Sequence, residues 1–165
     1  MWYAKNMAVR LSRAVLRCLP ILIIAVLLPK PLNITLPHDP LAGLLFLVSI
    51  FLGFSVLTAF FMLLYISAFY TLSPTGIRIL ATSVIEFFAG AIIPLPFFPS
   101  ELLPVINALP FASMQNTPFL IYNGFISGSD IIRSILLQLG WLVILVALGK
   151  MLMNRALKKV IVQGG

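Results

Sequence analysis

Acidic side chains are nearly missing from this chain of 165 residues, which has four, Asp39, Glu86, Glu101 and Asp130, against 11 Lys and Arg. Histidine and cysteine occur once each, as His38 and Cys18. A single cysteine permits no internal disulfide and no cysteine cluster. A loop histidine beside Asp39 with no second His or Cys near it makes no zinc set, so neither metal nor cofactor is expected. The P-loop pattern GxxxxGK[ST] is absent, since Gly149-Lys150 is followed by Met151, and the chain should not hydrolyse ATP. An intramembrane enzyme would need a nucleophile with a base, or a metal cluster, and the few candidate groups lie in separate segments. The formal charge of +7 comes with no basic run interleaved with aromatics on a polar background, and the 13 Phe sit in apolar runs. Nucleic acid is therefore not an expected partner.

Hydrophobic residues, by contrast, make up 61% of the sequence, charged ones 9%, and the mean hydropathy is +1.13. These values fall outside the range of soluble domains and place the chain in a lipid bilayer. The expected fold is all-α, a single polytopic helical bundle over residues 1–165.

Proline is plentiful where apolar sequence would otherwise run unbroken. Residues 90–122, GAIIPLPFFPSELLPVINALPFASMQNTPFLIY, hold Pro94, Pro96, Pro99, Pro104, Pro110 and Pro118 with one charge, Glu101. Each proline removes an N–H and clashes with the preceding turn, so one straight helix is excluded. Broken backbone at membrane depth survives only packed on protein or lining a cavity, because an unpaired backbone group in hydrocarbon costs several kcal/mol. The segment is expected to be a re-entrant cap over residues 94–124. Its pieces are a short helix near residues 100–109 and another opened by Thr117 and Pro118 and ended by Gly124.

Taken in order, residues 1–17 carry Arg10, Arg13 and Arg17 three and four apart, one basic stripe on an apolar helix suited to the headgroup layer. A signal peptide is the alternative, but no small-x-small cleavage site follows PILIIAVLL. The first span is placed at about residues 14–28, with Pro20 inside it. The loop KPLNITLPHDP follows, with a sequon at Asn33-Ile34-Thr35 that matters only in a eukaryotic secretory compartment. Residues 41–77 contain no charge, and a long helix at 41–72 exceeds the hydrocarbon core of about 30 Å. Within it Ser49 and Gly53, four apart, offer a small-residue seam for close helix packing. SPTG at 73–76 is a turn.

The third span is placed at residues 77–93. Thr82, Ser83, Glu86 and Gly90 recur there at three-to-four spacing on one face. An ionised carboxylate in mid-membrane is expensive unless paired, hydrated or protonated, so Glu86 either lines a substrate or proton path or makes a polar contact between helices. The last span, 134–152, holds Gln138 and Trp141, three apart and placed to meet the cap or a neighbouring helix. With a cytoplasmic start, four spans return the end to the cytoplasm. Nine basic residues then lie inside against two outside, Lys30 and Arg133, as the positive-inside rule requires.

A set of motifs falls in order over residues 90–165. Gly90, Pro94, Phe97, Phe98 and Pro99 form a Gly-x-x-x-Pro-x-x-Phe-Phe-Pro turn, Leu109-Pro110-Phe111 follows, then Gln138 with Trp141, and a basic end closing on Gly164-Gly165. This set resembles the permease subunit of ABC-2-type ATP-binding-cassette exporters. The resemblance implies re-entrant helices between the last two spans, a second permease as partner, two cytoplasmic ATPase subunits, and ATP-driven export from the cell membrane. Such permeases usually have six spans, so the four counted here imply an N-terminally truncated member or a partner that supplies the rest. A non-transporting membrane assembly or immunity protein is the alternative.

Overall fold

The computed structural model describes residues 2–30, 34, 39–67, 69–70 and 73–158. The sequon residues Asn33 and Thr35, His38, Lys159 and Gly164-Gly165 lie outside them. Helix α1 spans Trp2–Leu27, α2 Pro40–Ser67, α3 Pro74–Phe88, α4 Leu103–Ala108, α5 Pro110–Tyr122 and α6 Ser129–Leu157, with a 3-10 turn at Leu95–Phe97. Among the described residues there is no strand, so the all-α expectation holds.

Among the described residues two helices are long and apolar enough to cross a bilayer, α2 with 28 residues and α6 with 29. At 1.5 Å per residue each is about 42 Å long, more than the hydrocarbon core. They run parallel: Ser49 meets Gln138 near their starts, and Gly149 lies against Met62 and Leu63 near their ends. Helix α5 runs antiparallel to α2, with Phe111 against Phe60 at one end and Tyr122 against Phe46 at the other. Helix α2 is thus the centre of the molecule, flanked by α5 and α6 and touched more lightly by α1 and α3.

Uniform apolarity leaves α2 without an amphipathic stripe, so small side chains decide which face turns inward. Its buried residues are Ser49, Leu52, Gly53, Ser55, Val56, Thr58, Ala59 and Ile66. Ser55 and Thr58 hydroxyls donate back to the Phe51 and Phe54 carbonyls, which satisfies them without a partner helix. Val56, Ala59 and Leu145 form the core between α2 and α6, enclosed by Tyr3, Phe60, Leu63, Met114, Trp141 and Leu142.

The expected headgroup helix and first span are one continuous helix, α1, with Pro20 inside it. Proline there deletes one backbone bond, which a membrane helix tolerates. The first half of α1 lies on α2, where the Tyr3 hydroxyl donates to the Ser55 carbonyl at 2.9 Å and the Arg10 guanidinium sits 4.1 Å over the Phe61 ring. Its second half leaves Leu16, Ile21, Ile24 and Leu27 exposed.

Helix α3 begins earlier and ends earlier than expected. Pro74 stands in its first turn, and it stops at Phe88, giving 15 residues and about 22 Å. The stop is Gly90, whose φ of +85° is left-handed. The Ala91 N–H then donates to the Glu86 carbonyl at 3.0 Å, closing the helix end. Gly124, with φ of +71°, ends α5 in the same way as Phe125 N–H donates to the Leu120 carbonyl at 3.0 Å. Helix α6 begins at Ser129, earlier than the expected start of the last span at residue 134.

Candidate functional site where the proline-broken segment meets the long helices

Three helices converge on one amide. Gln138 of α6 is fully buried, as are Ser49 of α2 and Ser113 of α5 to within 1%. The Ser49 hydroxyl donates to Gln138 Oε1 at 3.1 Å, while Gln138 Nε2 donates to the Ser49 carbonyl at 3.2 Å and to the Ser113 carbonyl at 2.7 Å. The Ser113 hydroxyl donates to the Pro110 carbonyl at 2.6 Å. Among the described residues no buried side-chain nitrogen or oxygen lacks a partner. A satisfied polar node in an apolar setting fixes the register of the three helices, since sliding any one strands a polar group.

Beside this node α2 and α5 touch backbone to backbone. A Cβ on Gly53 would stand 2.7 Å from the Met114 carbonyl oxygen and 3.1 Å from that of Ser113. The Met114 carbonyl is the one whose helical donor would be the N–H of residue 118, and residue 118 is proline. Pro118 therefore lies inside α5 and does not open it, which corrects the expected start at Thr117. The same signature occurs first at Leu109-Pro110: Leu109 is extended, with φ of −72° and ψ of 154°, and Pro110 takes the first turn.

The upstream half of the segment is folded just as tightly. Pro94, with ψ of 135°, leads into the 3-10 turn that contains Pro96 and Phe97. Phe98 is extended, and the Pro99 carbonyl accepts the N–H of Leu102 at 3.0 Å, which starts the turn before α4. Leu95, Ile106 and Ala112 make a second small core with Phe88, Phe98 and Leu103 around it. Phe98, Phe87, Phe88, Phe111 and Phe60 form a chain of rings with centroids 5.1 to 6.0 Å apart, joining the segment to α3 and α2. Trp141 Nε1 donates to the Ala108 carbonyl at 2.8 Å, capping the last turn of α4 from α6. Phe97 points outward and is 79% exposed. The Glu101 carboxyl is held below its usual value, first by its own backbone N–H and then by the Ser100 hydroxyl 3.0 Å away.

Open clefts lie at both ends of this core. One, of about 620 Å³, is bounded by Asp39, Leu41, Tyr122, Asn123 and Ile131, where α2 and α6 begin and α5 ends. The other, of about 570 Å³, lies between α1, the second half of α2 and the first turns of α3.

The family model described as "ABC-2 family transporter protein" matches residues 4–164. The chain belongs to the ABC-2 transporter family. Neither the curated proteins nor the solved structures gave a match. Membership makes this chain a transport component of a membrane, not itself a catalyst, of a family that usually works with an ATPase.

Within this ABC-2 family chain the residues singled out in the sequence divide into two groups. Ser49, Gly53, Gln138 and Trp141 come together with Leu109, Pro110, Phe111 and Pro118 at the junction just described. Thr82, Ser83, Glu86 and Gly90 do not join it. The Thr82 and Ser83 hydroxyls donate to the Arg78 and Ile79 carbonyls at 2.8 and 3.1 Å, and the Glu86 side chain is exposed on α3. Thr82 lines the cleft beside α1. Ser113 was not anticipated, although Ala112-Ser113 is the one pair of small side chains within PFASMQ and marks where another helix can approach.

Proposed function

We propose that this chain is a membrane-spanning permease subunit of an ATP-driven exporter, forming a conduit with a second permease and driven by cytoplasmic ATPase subunits. The observation that carries the proposal is the position of the proline-broken segment. Its turn at Leu109 lies beside the second half of α2, level with Phe60, and the segment then returns along α2 to Phe46. The end of α3 lies at the same depth, with Phe88 stacked on Phe111, so the broken backbone between Gly90 and Leu109 sits inside the bundle and α5 leads from there toward the start of α2. Such backbone in membrane proteins lines or plugs a pathway.

In this reading α1, and α3 continued across the bilayer by the proline-broken segment and α5, complete a four-span arrangement with α2 and α6, and both chain ends face the cytoplasm of the cell membrane. The parallel course of α2 and α6 supports that topology, since both then enter from the outer side. The exposed apolar residues of α1 and α3, among them Leu16, Ile21 and Leu80, face lipid or the second permease. Glu86 is the exception on α3, and lipid is a costly neighbour for a carboxylate. We place Glu86, with Ser83 and Gly90, toward the second permease, where the shared conduit would hydrate it, while Thr82 turns to the cleft beside α1.

The test is affinity purification from native membranes in mild detergent. An ATPase carrying a P-loop should co-purify, and its hydrolysis rate should change when this chain is added back. Recovery of the chain alone, with no nucleotide-hydrolysing companion, contradicts the proposal. Glu86→Gln should alter export or its pH dependence. Unchanged export at unchanged protein level removes Glu86 from the route while leaving the exporter reading intact.

A further inference from the structure

The cleft beside α1 is lined by four arginines and by no acid. Arg10, Arg13 and Arg17 come from α1 and Arg78 from the first turns of α3, with Phe61 and Tyr65 of α2 among the other lining residues. Their spacing explains the convergence. Positions three and four apart on α1 present one stripe, and that stripe faces α2 because Tyr3 and Arg10 anchor the helix there. Arg10 is fixed twice, by donation from Nη2 to the Tyr65 hydroxyl at 3.1 Å and by its seat over the Phe61 ring. Arg13, Arg17 and Arg78 form no ion pair among the described residues.

Four like charges around one concavity repel each other, and the chain has little with which to neutralise them. Of its four acids, Asp39 precedes α2 by a whole helix length from Tyr65, Glu101 lies in the proline-rich segment, and Asp130 in the first turn of α6. Glu86, eight positions along α3 from Arg78, does not line the cleft. We propose that this cleft binds a phosphate-bearing anion, and that the anion is the headgroup of an acidic phospholipid. Arginine suits phosphate because its planar fork can donate two hydrogen bonds at once. A lipid fits better than a soluble anion because the walls are apolar between the guanidinium groups, with Val9, Ala14 and Phe54, and because exposed Val15, Leu16, Ile79 and Leu80 on the same two helices offer surface to acyl chains. The site does not depend on the export reading, and a membrane protein of any function could use it to hold α1, α2 and α3 together.

Native mass spectrometry of the purified protein in detergent tests this, titrating phosphatidylglycerol, phosphatidylcholine and inorganic phosphate separately. Phosphatidylglycerol should bind in preference to phosphatidylcholine, with inorganic phosphate failing to displace it at equal concentration. Arg78→Gln should weaken phosphatidylglycerol about five-fold and Arg13→Gln/Arg78→Gln more, in line with the contribution of one basic residue near an anionic surface. Both side chains are exposed and unpaired among the described residues, so the variants should keep the parent melting temperature. Lys150→Gln/Arg155→Gln removes two charges elsewhere and should leave binding unchanged. Equal loss in this control, or undiminished binding in the cleft variants, overturns the site. Inorganic phosphate that competes fully overturns the assignment to lipid.

Discussion

Replacing Gly53 by alanine is the sharpest probe of the packing between α2 and α5. The new Cβ would stand 2.7 Å from the Met114 carbonyl oxygen, against about 3.3 Å for a comfortable C···O contact, so roughly half an ångström must be found. The obstacle is α5 backbone, which cannot swing aside as a side chain would. Moving α5 away stretches the 2.7 Å bond from Gln138 to the Ser113 carbonyl. Overpacking of this kind costs about 1–3 kcal/mol, and the helix preference of alanine over glycine returns about 1 kcal/mol. Two other glycines supply internal controls. A Cβ on Gly140 meets nothing within 4 Å, and the nearest atoms to one on Gly149 are the flexible end of Met62 at 3.4 Å and Leu63 at 3.7 Å. Gly140→Ala should therefore be stabilising by up to about 1 kcal/mol and Gly149→Ala close to neutral. Thermal unfolding in one detergent should separate Gly53→Ala from Gly140→Ala by about 5 °C. Equal melting temperatures for the three variants would refute the close approach of α5 to α2.

Gln138→Leu keeps most of the volume but deletes three interhelical hydrogen bonds, and should lower stability by about 1–2 kcal/mol in detergent unfolding, given the modest worth of each such bond in a membrane. Trp141→Phe removes the donor to the Ala108 carbonyl while keeping an aromatic ring, and should speed hydrogen exchange in α4 more than in α2. In a Cys18→Ala background, Ser127→Cys should react with an impermeant maleimide in intact cells, and Lys158→Cys only after permeabilisation; the opposite pattern reverses the proposed topology.

The reach of sequence reasoning here follows from which signals were redundant. Gly124 announced a helix end because the left-handed turn that closes the helix is costly for other residues, whereas Gly90 closes α3 in the same way although the third span was expected to run on to residue 93. That the proline-rich segment packs on other helices was legible because its apolarity and its prolines conflict unless protein surrounds it. The start of α5 was not, since Leu109-Pro110 and Thr117-Pro118 carry the same local signature. Tertiary contact decided between them: the carbonyl that Pro118 leaves without a helical donor is covered by Gly53 of α2, so the helix can run through. The inward face of α2 was half legible. Its even apolarity carries no direction, and the seam at Ser49 and Gly53 identifies the contact side only once Gln138 and Ser113 are seen opposite. Arg78 lies far in sequence from the α1 arginines, and no spacing rule joins them; the cleft exists only because α1 and α3 both lean on α2.

Hydrogen–deuterium exchange of the detergent-purified protein, followed by mass spectrometry, reads the burial of the proline-broken segment directly. Peptides covering α5, residues 110–122, should exchange as slowly as those from the middle of α2. Exchange complete within seconds, as in a chain open to water, would contradict the account.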